Sequence, residues 1–244
     1  MRKLLLCFVL MLALPLWAQN YSTSFPATEN PISEGGNWIN GAATGVSWGN
    51  VQTKPGLVFG TIVNGDPPYN DSIAVLTGVW GQNQAVQGTV NINATDSSSQ
   101  AEVELHLNTT ITENNITGYE LDFSVLSGNP YIVIVRWNGP LNSFCYINTG
   151  STCSGPKNVP VAIHNGDVVS ATNVNGLITV YVNGVSEATA TDTTYTGGSP
   201  GVGFWNVGGN TGDLAHYGFS EFTATDGSSS GAPPAPTHLS VKVQ

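Results

Sequence analysis

Five side chains able to do acid–base chemistry stand at alternate positions on two short segments. AEVELHLN carries Glu102, Glu104 and His106, and GYELDFSV carries Glu120 and Asp122. In an extended chain, residues i and i+2 point to one side, roughly 6.5–7 Å apart, so each segment gathers its polar groups on one face. Two carboxyl groups near each other can share the work of acid and base on a glycosidic bond. Roughly 5 Å suits a nucleophile and its acid, and roughly 6.5–9.5 Å leaves room for an activated water. Glu102 and Glu104 meet the wider spacing. A second chemistry, proton abstraction beside a uronate carboxylate, needs a His or Tyr base and a cation to neutralise the substrate, parts that His106 and Arg136 could take. The plainest alternative is a polar strand face that keeps the molecule soluble, with Arg136 paired to Glu120 or Glu104.

The elements that must position these residues are strands. Val103, Leu105 and Leu107 alternate with the polar set of the first segment, and Tyr119, Leu121, Phe123 and Val125 with that of the second. In YIVIVRWNG, Arg136 is out of phase with Val133, Val135 and Trp137, which predicts that it shares the polar face. Similar short runs recur from SIAVLTGVW to HYGFSEFTAT, and no segment of the mature chain holds a helical apolar period over three turns. Asn-Gly pairs at Asn40, Asn64, Asn138, Asn165, Asn175 and Asn183 suit the positive φ angles of two-residue hairpins. A dozen or so strands need two stacked sheets, so the predicted fold is all-β, a two-sheet antiparallel β-sandwich.

The N-terminus, MRKLLLCFVLMLALPLWAQ, has two basic residues, an apolar run and a small residue at Ala18, the parts of a secretory signal over 1–19. The sandwich is expected over 20–226. A Gly/Ser/Pro-rich linker follows at 227–236, and then a strand-like tail at 237–244, where Leu239, Val241 and Val243 alternate. That tail could pair with an edge of its own sandwich or support self-association by adding a strand to a neighbour. The expected location is therefore secreted, whether extracellular, cell-surface or periplasmic, with no membrane span in the mature chain. Cys145 and Cys153 are a pair suited to a disulfide in an oxidising compartment. Without the signal, four basic residues face sixteen acidic ones, a net charge of −12. Nucleic acid is a poor partner for such a surface, and so are acidic polysaccharides. A neutral extracellular polysaccharide or glycan meets no such penalty.

GDVVSATNVNGLITVYVNGV, residues 166–185, resembles a hairpin that recurs in the concanavalin A-like lectin/glucanase and laminin-G-like jelly rolls. Phe25, Gly36-Asn37-Trp38, GYELDF, YIVIVRWNG and SPGVGFW follow in the matching order, so the resemblance covers about residues 21–225. It implies a jelly roll with a saccharide groove on a concave sheet, and in many members a structural Ca2+ near loops. Glucanases of this superfamily use a strand written E-x-D-x-E or E-x-D-x-x-E. Glu120-Leu121-Asp122 matches its beginning, and Ser124 and Val125 stand where the second glutamate belongs.

Further candidates complete the expectations. Trp38 and Trp48 lie in Gly-rich loops and are the indoles expected to be exposed for stacking on a pyranose, whereas Trp80 and Trp137 read as core. NGDPPYND clusters Asp66, Asn70 and Asp71 as hard oxygen ligands suited to Ca2+. The expected function is binding of neutral glycan without catalysis, through Glu104, Glu120, Arg136, Trp38 and Trp48. A glycoside hydrolase or polysaccharide lyase using Glu102, Glu104, His106, Glu120 and Asp122 is one alternative, and a surface or filament subunit assembling through 237–244 is another.

Overall fold

The computed structural model describes residues 18–62, 71–93, 100–140, 142–148, 153, 158–207 and 214–227. The signal segment up to residue 17, the linker beyond 227, the tail, Asp66 and Asn70 lie outside the described residues. Among those described, fifteen strands run in chain order β1 (Asn20–Thr23), β2 (Trp38–Asn40), β3 (Val51–Lys54), β4 (Leu57–Gly60), β5 (Ser72–Leu76), β6 (Gln84–Ile92), β7 (Gln100–Thr112), β8 (Asn115–Ser124), β9 (Ile132–Gly139), β10 (Phe144–Tyr146), β11 (Val168–Val174), β12 (Leu177–Val182), β13 (Val185–Thr191), β14 (Ser199–Val207) and β15 (Tyr217–Thr225). Among the described residues, helix is confined to one turn at Gly41–Thr44 and a 3-10 turn at Leu214–His216. Neither is long and apolar enough to cross a membrane.

The strands form two antiparallel sheets. One has the order β13-β12-β11-β6-β15-β4-β3, with β1 also on β15, and the other has the order β10-β9-β8-β7-β14-β5-β2. Val86, Val90, Val169, Ala171, Val180, Phe219 and Phe222 of the first sheet meet Leu105, Leu107, Tyr119, Leu121, Phe123, Ile134 and Phe204 of the second in one buried cluster. Burial of these apolar side chains drives the two layers together, at roughly 1.5–3 kcal/mol for each large residue. The predicted all-β two-sheet sandwich is what the chain forms.

Two of the Asn-Gly pairs close hairpins. Asn175 (φ 52°) and Gly176 (φ 86°) join β11 to β12, and Asn183 (φ 51°) and Gly184 (φ 79°) join β12 to β13. Positive φ at both central residues matches the turn to the twist of its strands. Asn40-Gly41 instead opens the short helix. VPVAIH gives only an isolated bridge, Val159 to Ile132, where Pro160 withholds the ladder donor.

A bulge shapes the second sheet. The β7–β8 register shifts between Leu107 and Thr110, with Asn108 at φ 50°. The slip moves Ile111 to the outer face, where it joins Val46, Trp48, Ile73, Val75, Ile116, Tyr131, Val133, Val135 and Trp137 in a second apolar cluster. The second sheet is therefore covered on both sides.

Candidate functional site

The alternation in β7 and β8 is as the sequence implies, and it brings the five acid–base residues together on the outer face of the second sheet. Glu104 lies opposite Asp122, His106 opposite Glu120, and Glu102 opposite Ser124. On the other flank, β14 sets Trp205 opposite Glu102, Gly203 opposite Glu104 and Gly201 opposite His106. This face is not the wet side of a strand. Glu102, Glu104, His106, Glu120 and Asp122 are all buried, at 6% exposure or less. The cause is the second apolar cluster, whose aromatic rings fold over them.

Arg136 is not on this face. It pairs in register with Tyr119, so it points toward the inter-sheet side, while Val133, Val135 and Trp137 point outward over the acids. Its Nη1 donates to Asp192 Oδ2 at 2.5 Å, and the same carboxylate accepts from Tyr119 Oη at 2.8 Å. Burial opposes ionisation of Asp192, but hydrogen bonds from Thr194, Tyr119 and Arg136 outweigh it and hold this carboxyl below its usual range. The expected pairing of Arg136 with Glu120 or Glu104 is replaced by this one. Strand β9 is apolar on both faces, so alternation alone could not say which set faces inward. Ile132 and Ile134 take the inter-sheet core.

The acids floor a small cleft, about 30 Å³ in volume, lined by Asp71, Glu102, Glu120, Asp122, Val135, Trp137, Phe144, Tyr146 and Trp205. Tyr131 Oη donates to Glu102 Oε1, and Trp137 Nε1 donates to Glu120 Oε2 at 2.9 Å. Desolvation dominates the titration of the whole group. It pushes Glu102 up to about 8 against the Tyr131 hydrogen bond, and Glu120 up to about 7 against hydrogen bonds from Trp137 and Asp122. Asp71, Glu104 and Asp122 are raised well above the usual range by burial and then by their neighbours' charges. Burial also drives His106 down to about 3, so its imidazole is neutral. A hydrogen bond shared by Glu120 and Asp122 lowers the first and raises the second, beside the larger effect of burial.

The aromatic residues of the cleft differ from those expected. Trp38 is 6% exposed and Trp48 2%, so neither is a surface platform. Trp38 packs on Phe222 with ring centres 5.4 Å apart, and its Nε1 donates to Glu34 Oε2. Trp48 sits edge-on to Trp137 at 4.9 Å under the outer cluster. Large indoles carry so much apolar surface that both turn inward, Trp38 from the start of β2 and Trp48 from its loop. Trp80 and Trp137 are buried as expected. The half-buried aromatics at the cleft are Phe144, Tyr146 and Trp205. The disulfide Cys145–Cys153 anchors the strand that carries the first two. Alternation in SPGVGFW could have revealed Trp205, because it stands two residues from Gly203, where Glu104 and His106 need room.

The expected calcium ligands are described only in part. Of the expected ligands Asp66, Asn70 and Asp71, the described one, Asp71, is buried among Glu102 and Glu120 at the cleft floor. Among the described residues, the side chains with ligand-like spacing are Glu104, His106 and Glu120, whose donor atoms all lie within 4.8 Å of one another. Nε2 of His106 is 3.7 Å from Glu104 Oε2 and 3.9 Å from Glu120 Oε2.

No protein-family model matches the chain. No curated protein matches its sequence either. Solved structures do match in shape. A carbohydrate-binding module, CBM66 of Bacillus subtilis, aligns with TM-score 0.50 at 10% identity over 80% of this chain and 95% of its own. The metal-free carbohydrate recognition domain of Emp46p aligns with TM-score 0.52 at 10% identity over 84% and 96%. β-Agarase A, solved with oligoagarose, aligns with TM-score 0.50 at 11% identity over 86% and 92%. The chain thus has the concanavalin A-like jelly-roll fold, as its hairpin and strand order implied. At such identities the likeness is one of fold, and function rests on the cleft.

Proposed function

We propose that the protein is a secreted, lectin-like module that binds neutral glycan, without catalysis, in the cleft of the second sheet. The observation that carries this reading is a pair of unmet polar groups on the cleft lining: Trp205 Nε1 and Asp122 Oδ1 are buried and have no hydrogen-bond partner. A buried donor or acceptor left unpaired costs about 1–3 kcal/mol, and a sugar hydroxyl can serve either. Phe144, Tyr146 and Trp205 supply half-buried rings against which the apolar face of a pyranose can pack. Among the described residues, those lining the cleft include no Lys or Arg. This favours neutral over uronate-bearing polymers, and with Arg136 on the inner face the lyase alternative loses its cation. The carbohydrate-binding neighbours in fold are in keeping with this reading.

One observation favours a second reading, glycoside hydrolysis. Burial raises Glu102 to about 8 and Glu120 less, to about 7, so an acid and a carboxylate coexist in one cleft between those values. Incubation with a panel of neutral polysaccharides separates the two. Retardation in affinity gels without new reducing ends supports binding alone, new reducing ends establish hydrolysis, and neither outcome on any glycan overturns both. Export belongs to the same proposal, and a mature N-terminus near residue 20 in the culture supernatant tests it. Assembly through 237–244 is the third alternative, tested by size-exclusion chromatography with and without residues 227–244. A calcium ion bound through Asp71 is tested by the Ca2+ titration described below.

A further inference from the structure

We propose that Glu104, His106 and Glu120 form a binding site for one divalent transition-metal ion, with zinc as the ion of best fit, at the inner end of the cleft. Three independent features converge on these residues, and none of them depends on whether a glycan binds.

The first is unmet ligand capacity. His106 is fully buried, yet neither Nδ1 nor Nε2 has a hydrogen-bond partner, and Glu104 Oε2 has none either. Neither tautomer of a neutral imidazole satisfies both ring nitrogens there. An ion at Nε2 would use the ring lone pair that the protein leaves idle.

The second is distance. The 3.7 and 3.9 Å separations from His106 Nε2 to the two carboxylate oxygens are too long for hydrogen bonds. Zinc–nitrogen and zinc–oxygen bonds of about 2.0–2.2 Å set tetrahedral ligand atoms about 3.4 Å apart, so each carboxylate oxygen needs to approach Nε2 by only a few tenths of an ångström.

The third is space and charge. A Cβ built on Gly203 would stand 2.1 Å from Glu104 Oε2 and 2.7 Å from His106 Nε2, so the strand is bare of a side chain where these two residues meet it. Asp71, Glu102, Glu104, Glu120 and Asp122 are all buried, five carboxyl groups gathered around one imidazole. A buried cluster of this kind is relieved by a dication.

Ligand chemistry selects the class of ion. Ca2+ takes six to eight oxygens, whereas one imidazole with two carboxylates suits zinc and its first-row neighbours. Three protein ligands leave a fourth position, and Glu120 itself lines the cleft, so that position is approached from the glycan side.

The test uses the full chain stripped with a chelator and then titrated with ZnCl2, CoCl2 or CaCl2 in the absence of sugar. The expected results are one Zn2+ per chain by calorimetry and a Tm rise of about 5–10 °C at a hundredfold excess over Kd. An equal concentration of Ca2+ should leave Tm unmoved. Glu104→Gln, close to the original side chain in shape, should lower zinc affinity at least tenfold, and His106→Gln likewise. Because buried variants can fail to fold, X-ray absorption at the zinc edge of the wild-type complex is the second readout, with one imidazole and otherwise oxygen ligands expected. Absence of zinc binding by the wild type, a response to Ca2+ equal to that for zinc, two or more imidazoles at the ion, or undiminished affinity in both folded variants would each overturn the proposal.

Discussion

Raising the pH from 6.5 to 8 in the presence of a chelator is a perturbation aimed at the buried carboxyls. An unfolded glutamate releases its proton near 4.5, but in the folded chain Glu102 keeps its proton to about 8 and Glu120 to about 7. Between those values the folded state binds more protons than the unfolded state, so stability falls as pH rises. His106 acts in the opposite sense, but only lower down. Its folded value is about 3 against 6.5 unfolded, so its effect grows from pH 3 to 6.5 and is then constant. The window from 6.5 to 8 therefore isolates the carboxyls. Each excess proton is worth 1.36 kcal/mol per pH unit. Glu102 holds its proton through most of this window and Glu120 through the lower part, which together gives a loss of about 2 kcal/mol. Asp71, Glu104 and Asp122, also raised, add in the same direction. For a domain of this size the loss corresponds to a Tm drop of at least about 4–8 °C, read by scanning calorimetry. Glu102→Gln should flatten the slope by nearly one proton. A Tm that is level or rising across the window, or a slope unchanged in Glu102→Gln, would refute the assignment of these groups as buried and protonated.

Other substitutions probe the same architecture. Gly203→Ala should destabilise the chain by about 1–3 kcal/mol in denaturant melts, because the added methyl meets Glu104 and His106 inside contact distance. Trp205→Ala and Tyr146→Ala should each weaken glycan binding about tenfold while shifting Tm little, since both rings are only half-buried at the cleft. Arg136→Ala should cost about 2–4 kcal/mol of stability by leaving Asp192 without its cation, and should leave glycan affinity unchanged because the side chain lies on the other face of its sheet. A loss of affinity without loss of stability would return Arg136 to the binding face.

Strand alternation made the carboxylate face legible, because residues 101–107 of β7 and 119–124 of β8 each pair an apolar set with a polar one. Glu102, Glu104, His106, Glu120 and Asp122 therefore converge as read. The environment of that face was not legible. Its burial depends on Trp48, Tyr131, Val133, Val135 and Trp137, which arrive from loops and from a strand apolar on both sides. The same strand misled the placement of Arg136: with Ile132, Ile134, Val133 and Val135 all hydrophobic, periodicity does not choose a core face, and the tie is decided by inter-sheet packing and by Asp192, distant in sequence. Trp38 and Trp48 were misjudged because flanking glycines signal a turn and say nothing of where the indole goes. Asp71 was read with its chain neighbours as a loop ligand, whereas the fold carries it to the foot of β5 among the acids. The Gly201-x-Gly203 spacing was the available clue to the crowded floor of the cleft.

Binding of neutral oligosaccharides, measured by calorimetry on the wild type and on Trp205→Ala, tests the central claim most directly. The cleft account predicts saturable binding of at least one neutral glycan, lost about tenfold or more in a Trp205→Ala protein that melts like the wild type. Binding that survives Trp205→Ala and Tyr146→Ala undiminished would place the glycan elsewhere and contradict it.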